Sequence, residues 1–248
     1  MTDKAVIITG GSRGIGRATA LAAAARGFRV VVGYVSNKNA ADEVVAAIKA
    51  KGGMAIAVQC DIASEQDILA LFKASDGFGA LGALVNNAGI VGPSIRVEDL
   101  SAERIQRRMT VNVTGSILCA REAVKRMSTR HGGSGGVIVN ISSIAAKLGS
   151  PNTYVDYAAS KGAIDSFTIG LGLEVVGEGI RVAAIRPGVI DTDIHASGGE
   201  PDRAHRIGPM LPMKRAGTAA EIANAIVWLI SDEASYVTSA ILDVSGGR

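Results

Sequence analysis

Seven short apolar runs, separated by segments of helical period, constrain this chain more than any other feature. They are 5–9 (AVIIT), 29–34 (RVVVGY), 54–59 (MAIAVQ), 82–86 (GALVN), 136–142 (GVIVNIS), 181–186 (RVAAIR) and 240–244 (AILDV). Most are near-continuous Val, Ile and Ala, as strands buried on both faces of a parallel sheet are. Helical period marks 15–26, 38–51, 64–75, 99–129, 155–177 and 218–231 between them. Ser64 with Asp67, and Thr218 with Glu221, supply capping chemistry at helix starts, and Gly27, Gly52 and Gly177 mark helix ends. Alternation over the whole length predicts one α/β domain over 1–248. Its core would be a doubly wound, seven-stranded parallel sheet with helices on both faces. Residues 191–217 lack periodicity, and so long a stretch in a compact domain is expected to act as a lid over a site.

Composition narrows the function classes. A hydrophobic content of 48% over 248 residues supports one sizeable core and excludes disorder. The 31 Gly fall at turns and loops with no fixed period, which excludes a collagen-like chain. Two Cys build no disulfide framework, and Cys60 and Cys119 are expected to be reduced thiols. No apolar run approaches the ~18 residues of a membrane span. The first strand begins almost at Met1, which leaves no room for a signal peptide, so a cytoplasmic location is expected. The net charge of +3 is mixed in sign. The stretches holding Arg104, Arg107 and Arg108, and Lys125, Arg126 and Arg130, also carry Glu103 or Glu122 and read as solvated helix faces. With aromatics at 4%, no nucleic-acid partner is expected. His131, His195 and His205 lack ligand spacing, so no metal is expected either.

The first strand runs into Thr9-Gly10-Gly11-Ser12-Arg13-Gly14-Ile15-Gly16, and a helix follows at once. Glycines here permit positive φ and let backbone N–H groups reach a pyrophosphate, while the helix N-terminus adds partial positive charge. The TGxxxGxG spacing in this place resembles that of the short-chain dehydrogenase/reductase family. Further motifs follow in the family's order: Asp61 with Ile62 after the third strand, Asn86-Asn87-Ala88-Gly89 after the fourth, and Asn112 in the long fourth helical segment. Ser143 ends the fifth strand, Tyr157 and Lys161 form a YxxxK motif, and Pro187, Gly188 and Thr192 follow the sixth. The resemblance covers essentially the whole chain and implies a Rossmann-like fold.

It also implies a mechanism. Tyr157 and Lys161 share a helix face. A phenol has an ordinary pKa near ~10, and a nearby ammonium pulls it toward the working range. Tyr157 would then act as general acid/base while the cofactor gives or takes the hydride. In the family the lysine also binds the nicotinamide ribose, which assigns that to Lys161. Ser143 would orient the substrate oxygen and Asn112 would brace a proton-relay water. Ser142 competes with Ser143, although neighbours on a strand face opposite ways and the resemblance favours Ser143. The gap from Ser143 to Tyr157 is one residue longer than in many members, so Ser150-Pro151-Asn152 is expected to bulge near the substrate. Tyr154 is expected to line the pocket.

Cofactor choice rests on the edge after the second strand, where an acidic residue would accept from the ribose 2′-OH of NAD. Tyr34 holds that place, followed by Val35, Ser36 and Asn37. No carboxylate is present, and Arg13 with Ser36 and Asn37 suits a 2′-phosphate. NADP is therefore expected, with NAD possible. The dinucleotide contacts would be Gly10, Ser12, Arg13, Gly14, Ile15, Gly16, Tyr34, Ser36, Asn37, Asp61 and Ile62 at the adenosine and pyrophosphate end. Asn87, Ala88, Gly89, Tyr157, Lys161, Pro187, Gly188, Ile190 and Thr192 would complete the site. The expected substrate is a small-molecule carbonyl/alcohol pair. The lid residues His195, Glu200, Asp202, Arg203 and Arg206 lean toward a polar one such as a sugar. A 3-oxoacyl-carrier-protein reductase is the alternative within catalysis, weakened by Glu178 where a base would help, with Arg130 compensating in part. A non-catalytic dinucleotide sensor or scaffold is the alternative of another class. Family members are usually tetramers, so a homotetramer built on 99–129 and the Tyr157 helix is expected.

Overall fold

The computed structural model describes residues 4–248. Met1, Thr2 and Asp3, the lead-in to the first strand, lie outside the described residues, as do the side chains of His195 and Ser197. The strands are β1 (Ala5–Ile8), β2 (Arg29–Tyr34), β3 (Ala55–Gln59), β4 (Leu81–Asn86), β5 (Gly136–Ile141), β6 (Ile180–Pro187), β7 (Ile190–Asp191), β8 (Gly217–Thr218) and β9 (Ala240–Val244). The helices are α1 (Gly14–Ala25), α2 (Lys38–Lys49), α3 (Glu65–Asp76), α4 (Ala102–Met109), α5 (Ser116–Met127), α6 (Ala145–Leu148), α7 (Val155–Val175), α8 (Ile194–Ser197), α9 (Arg203–Ile207) and α10 (Ala219–Ile230).

Seven strands form one parallel sheet in the order β3-β2-β1-β4-β5-β6-β9, as the alternation predicts. Strand periodicity sends neighbours to opposite faces. Val6 and Ile8 pack with Ala20, Ala23, Val44, Ile222 and Ile226, which places α1, α2 and α10 on one side. Ile7 packs with Ile68, Phe72, Cys119, Ala123 and Val175, which places α3, α5 and α7 on the other. Each central strand is therefore covered on both faces, which explains its unbroken apolar sequence. The chain runs outward from β1 to β3 and returns to β4 beside β1. That reversal opens a crevice at the strands' C-terminal ends, where open α/β sheets bind ligands.

Local chemistry sets the boundaries. Ser64 accepts from the Asp67 backbone, and Thr218 with Glu221 completes a reciprocal cap. Gly27 and Gly52 take positive φ after α1 and α2. Gly177 does not; it lies in a 3₁₀ turn, and Gly179 is the left-handed residue that ends the segment. The single helix expected over 99–129 is also divided, because Thr110–Gly115 is π-helical between α4 and α5. Residues 191–217 hold α8 and α9 rather than an irregular loop, and pairing of β7 with β8 ties their base together. Val189, Ala204 and Leu211 give this excursion its own small apolar cluster.

Candidate active site

The β1–α1 turn lies at the head of the crevice. Gly10 and Gly14 take φ of +63° and +51°. A Cβ on Gly16 would stand 2.2 Å from the Gly10 carbonyl oxygen, so no other residue fits without moving backbone. No side chain caps α1, and its first turn carries no acid. Its first-turn N–H groups are thus available to an external anion. Asn87 braces the turn by donating from Nδ2 to the Thr9 and Gly10 carbonyls at 2.9 and 3.0 Å. The Ala88 N–H donates to the Thr9 hydroxyl at 3.0 Å.

A cavity of about 160 Å³ opens beside this turn. Ile15, Asn87, Gly89, Pro187, Gly188, Ile190 and Thr192 line one part, and Ser143, Tyr154, Tyr157 and Lys161 another. The rest is mostly apolar, with Val91, Ile144, Leu148 and Ile194, and Arg203 and Arg248 at its edge. Thr192 lies 3.5 Å from where a Gly14 Cβ would sit, so the base of the 191–217 excursion meets the glycine turn.

Tyr157 and Lys161 project from one face of α7, with Nζ 5.7 Å from the phenol ring centroid. Ser143 and Tyr157 line the same cavity, and Ser143 acts on the phenol as its polar neighbour. Ser142, which also borders the cavity, is buried and donates to the Lys161 carbonyl at 3.2 Å. Ser150 and Asn152 adopt φ of +47° and +60°, and Ser150 lines the cavity, so the expected bulge is present. Tyr154 lines the cavity edge-on to Tyr157. The expected lowering of the Tyr157 pKa is not found. Burial pushes the phenol up, opposed by the Ser143 hydroxyl and by the charge of Arg108. The same burial pulls Lys161 down to about 8, while Asp165 opposes it. Its Nζ donates to the Ile141 carbonyl at 2.6 Å.

Asn112 is buried in the π-helical segment. Its Oδ1 accepts from the Ile90 N–H at 2.8 Å, and its Nδ2 donates to the Ile90 carbonyl and the Ser160 hydroxyl. It therefore clamps the segment after β4 against α7. At the far end, Arg13, Ser36 and Asn37 are exposed, and Asn37 Oδ1 caps α2 by accepting from Ala40. Tyr34 is a correction. Its ring is buried in the core cluster, so Val35, Ser36 and Asn37 form the exposed edge after β2. Asp61 accepts from the Ala63 N–H and pairs with Arg107 at 3.3 Å, and Ile62 is buried next to it.

The basic stretch in α4 is a second correction. Arg107 is exposed, but Arg108 is only 3% exposed and Arg104 is mostly buried. Both pair with Asp156, at 2.8 and 3.0 Å. The spacing of Arg104, Arg108 and Asn112 by four was the available signal, since it puts all three on one helix face. Glu122 is likewise buried, paired with Arg121, Lys125 and Arg126. Glu200 spends its charge on Arg203 and Arg206 and accepts from Ser94. Among the described residues no group of His, Cys, Asp and Glu is placed to hold a metal, and no helix is long and apolar enough to cross a membrane. Cys60 and Cys119 are free and buried.

A family described as enoyl-(acyl carrier protein) reductase matches residues 10–248. The chain belongs to the short-chain dehydrogenase/reductase family. One relative of this short-chain dehydrogenase, the uncharacterized oxidoreductase YgfF of Escherichia coli (strain K12), is 57% identical over 243 residues, 98% of each chain. A solved short-chain dehydrogenase from Burkholderia cenocepacia J2315 in complex with NADP has a TM-score of 0.90 at 32% identity, covering 99% of this chain and 98% of that one. A 7α-hydroxysteroid dehydrogenase complexed with NADH and 7-oxo glycochenodeoxycholic acid has a TM-score of 0.91 at 36% identity, covering 99% and 94%. This short-chain dehydrogenase is thus an oxidoreductase of alcohol/carbonyl groups that uses a nicotinamide dinucleotide.

Proposed function

We propose that the chain interconverts a ketone and a secondary alcohol with NADP(H), using Tyr157 as general acid/base. One observation carries this reading: Tyr157, Ser143 and Lys161 line the same cavity as the glycine turn's Ile15 and Thr192. The uncapped α1 terminus fits a pyrophosphate, and Gly10, Ser12, Gly14, Ile15 and Gly16 would hold it. Arg13, Ser36 and the amide of Asn37 would take the 2′-phosphate, and no carboxylate stands at that edge to repel it. Asp61 and Ile62 would border the adenine. Asn87, Ala88, Gly89, Pro187, Gly188, Ile190 and Thr192 would border the nicotinamide half, with 191–217 as lid.

The dinucleotide, when bound, supplies or accepts the hydride. The protein does the rest. In reduction the Tyr157 hydroxyl donates its proton to the substrate oxygen, and in oxidation its oxygen takes the alcohol proton. Ser143, which lines the cavity with Tyr157, orients that oxygen. Lys161 would hold a positive charge beside the phenol and would bind the nicotinamide ribose. Asn112 positions this group through its clamp on Ile90 and Ser160 rather than by touching substrate.

The apolar walls favour a substrate with an apolar body over a sugar, and of the lid charges that suggested a sugar, Glu200, Arg203 and Arg206 pair with one another. A 3-oxoacyl-carrier-protein substrate finds little support at Glu178, a carboxylate that pairs with Arg130 and accepts from the Ser128 hydroxyl. The test is a panel of cyclic and aliphatic ketones, 3-oxoacyl thioesters and sugars with NADPH and NADH. The reading expects ketone turnover fastest with NADPH. Turnover confined to sugars, or equal rates with both cofactors, would contradict it. We also propose a cytoplasmic location and a homotetramer; the exposed apolar row Ile169, Leu173 and Val176 along α7 and the turn that follows it supports the assembly.

A further inference from the structure

The most unusual group in the molecule is a buried cation that the proposed reaction does not use. Arg108 lies 5.9 Å from the Tyr157 ring centroid, and Lys161 Nζ lies 5.7 Å from it. The phenol therefore has two cations at nearly equal range. Arg108 is held by Asp156 at 2.8 Å and is closed off from water, and Arg104 shares the same carboxylate. Two guanidiniums on one carboxylate leave a net positive charge, and low polarity around it strengthens its field. A Cβ on Gly92 would stand 3.0 Å from one Arg108 terminal nitrogen, so the segment after β4 covers the pair. Burial alone disfavours such an arginine. A chain that needed only packing here would do as well with Met or Leu.

We propose that Arg108 is a positioning residue that sets the proton affinity of Tyr157, with Asp156 and Arg104 fixing how much of its charge the phenol feels. The groups facing Tyr157 are few. Arg108 comes from α4, Lys161 from α7, Ser143 from the segment after β5, and Tyr154 from the segment before α7; Asp156 and Arg104 stand behind Arg108, Arg203 stacks on Tyr154, and Arg248 lines the same cavity. Lys161 is partly committed to the Ile141 carbonyl and is itself pulled down to about 8. As pH rises through that range Lys161 loses its charge, whereas a guanidinium keeps its own. Arg108 then remains the permanent cation at the phenol. The direction follows: a nearby positive charge favours the phenolate, so removing Arg108 raises the Tyr157 pKa and removing Asp156 lowers it. This rests on the assignment of Tyr157 as the acid/base, but the charge coupling can be measured without turnover.

The chain has four Tyr, so a 3-fluorotyrosine-labelled protein gives four ¹⁹F signals, and Tyr157 is identified by the signal missing from Tyr157→Phe. Fluorination also moves the titration to lower pH, within the range where the fold persists. The signal is titrated in wild type, Arg108→Met, Arg108→Lys and Asp156→Asn, with folding followed by circular dichroism at each pH. The expectation is an upward shift of roughly half a unit to one unit in Arg108→Met, a smaller upward shift in Arg108→Lys, whose buried ammonium gives up its charge more readily than a guanidinium, and a downward shift of roughly half a unit to one unit in Asp156→Asn. Shifts of the same sign in Arg108→Met and Asp156→Asn, or none, overturn the proposal. Should Arg108→Met not fold, the opposite-sign comparison passes to Arg108→Gln. A second readout is the acid limb of kcat/KM for NADP⁺-dependent oxidation of the best secondary alcohol in the panel. It should move with the ¹⁹F shift while KM for NADP⁺ stays within about twofold. A ¹⁹F shift with no matching change in the rate profile would leave the charge coupling intact and remove Tyr157 as the acid/base.

Discussion

Arg13 and Lys161 make separate claims, and each can be checked alone. Arg13 is exposed at the N-cap of α1, so its side chain is free to meet a 2′-phosphate. Arg13→Ala should weaken NADPH by roughly tenfold or more and leave NADH within twofold, as loss of one charge-assisted contact implies. Binding titrations with both dinucleotides decide it, and equal losses would contradict the assignment. Lys161 is a buried ammonium drawn from 10.5 to about 8. Below about pH 8 the folded protein bears the full cost of charging it. Between about 8 and 10.5 the folded lysine is neutral while the unfolded one is still charged, so this group makes unfolding progressively harder as pH rises. The window is worth about 3 kcal/mol. Denaturation of wild type and Lys161→Met across it should show that slope only in wild type, and parallel curves would refute the shift. At this scale the YxxxK pair, Ser143 and the glycine turn were legible in the sequence, because their chemistry and spacing are local. The direction of the Tyr157 shift was not, because burial is a property of the assembled site. Arg108 was misread for a related reason: its carboxylate partner, Asp156, comes from a helix far along the chain.

Elements were legible wherever a periodic apolar pattern met local capping chemistry. Thr218 accepts from the Glu221 N–H, while the Glu221 carboxylate accepts from the Thr218 N–H at 2.8 Å and from Arg215. Thr218→Ala should cost about 1 kcal/mol of stability by denaturant unfolding, with an unchanged slope. A loss below about 0.3 kcal/mol would mean that the end of α10 is held by packing alone. The π-helical segment was not legible, since its residues keep the period of the flanking helices. Only the buried bonds of Asn112 to Ile90 and Ser160 give the widened turn a purpose. The two short helices within 191–217 escaped for the opposite reason: α8 and α9 are too short to show a period.

For the whole molecule, the parallel sheet explains why the site sits where it does. The reversal between β3 and β4 sets the crevice beside β1, and every motif read from the sequence follows a strand's C-terminal end or a helix facing it. The sheet was the most legible feature of all, because strands covered on both faces must be apolar throughout. Assembly is a surface property and leaves a weaker trace. Leu173 is 69% exposed, between Ile169 and Val176. The tetramer proposed above would bury that row against a second copy. Leu173→Asp should reduce the mass seen by analytical ultracentrifugation from tetramer toward dimer or monomer, with the fold retained. An unchanged tetramer would place the interface elsewhere. The central claim, proton transfer by one phenol, is tested most directly by single-turnover oxidation of bound NADPH with the best ketone of the panel, in wild type and in Tyr157→Phe. The account predicts NADPH affinity within about twofold and a hydride-transfer rate lower by roughly 10²-fold or more. Equal rates in the two proteins would contradict it.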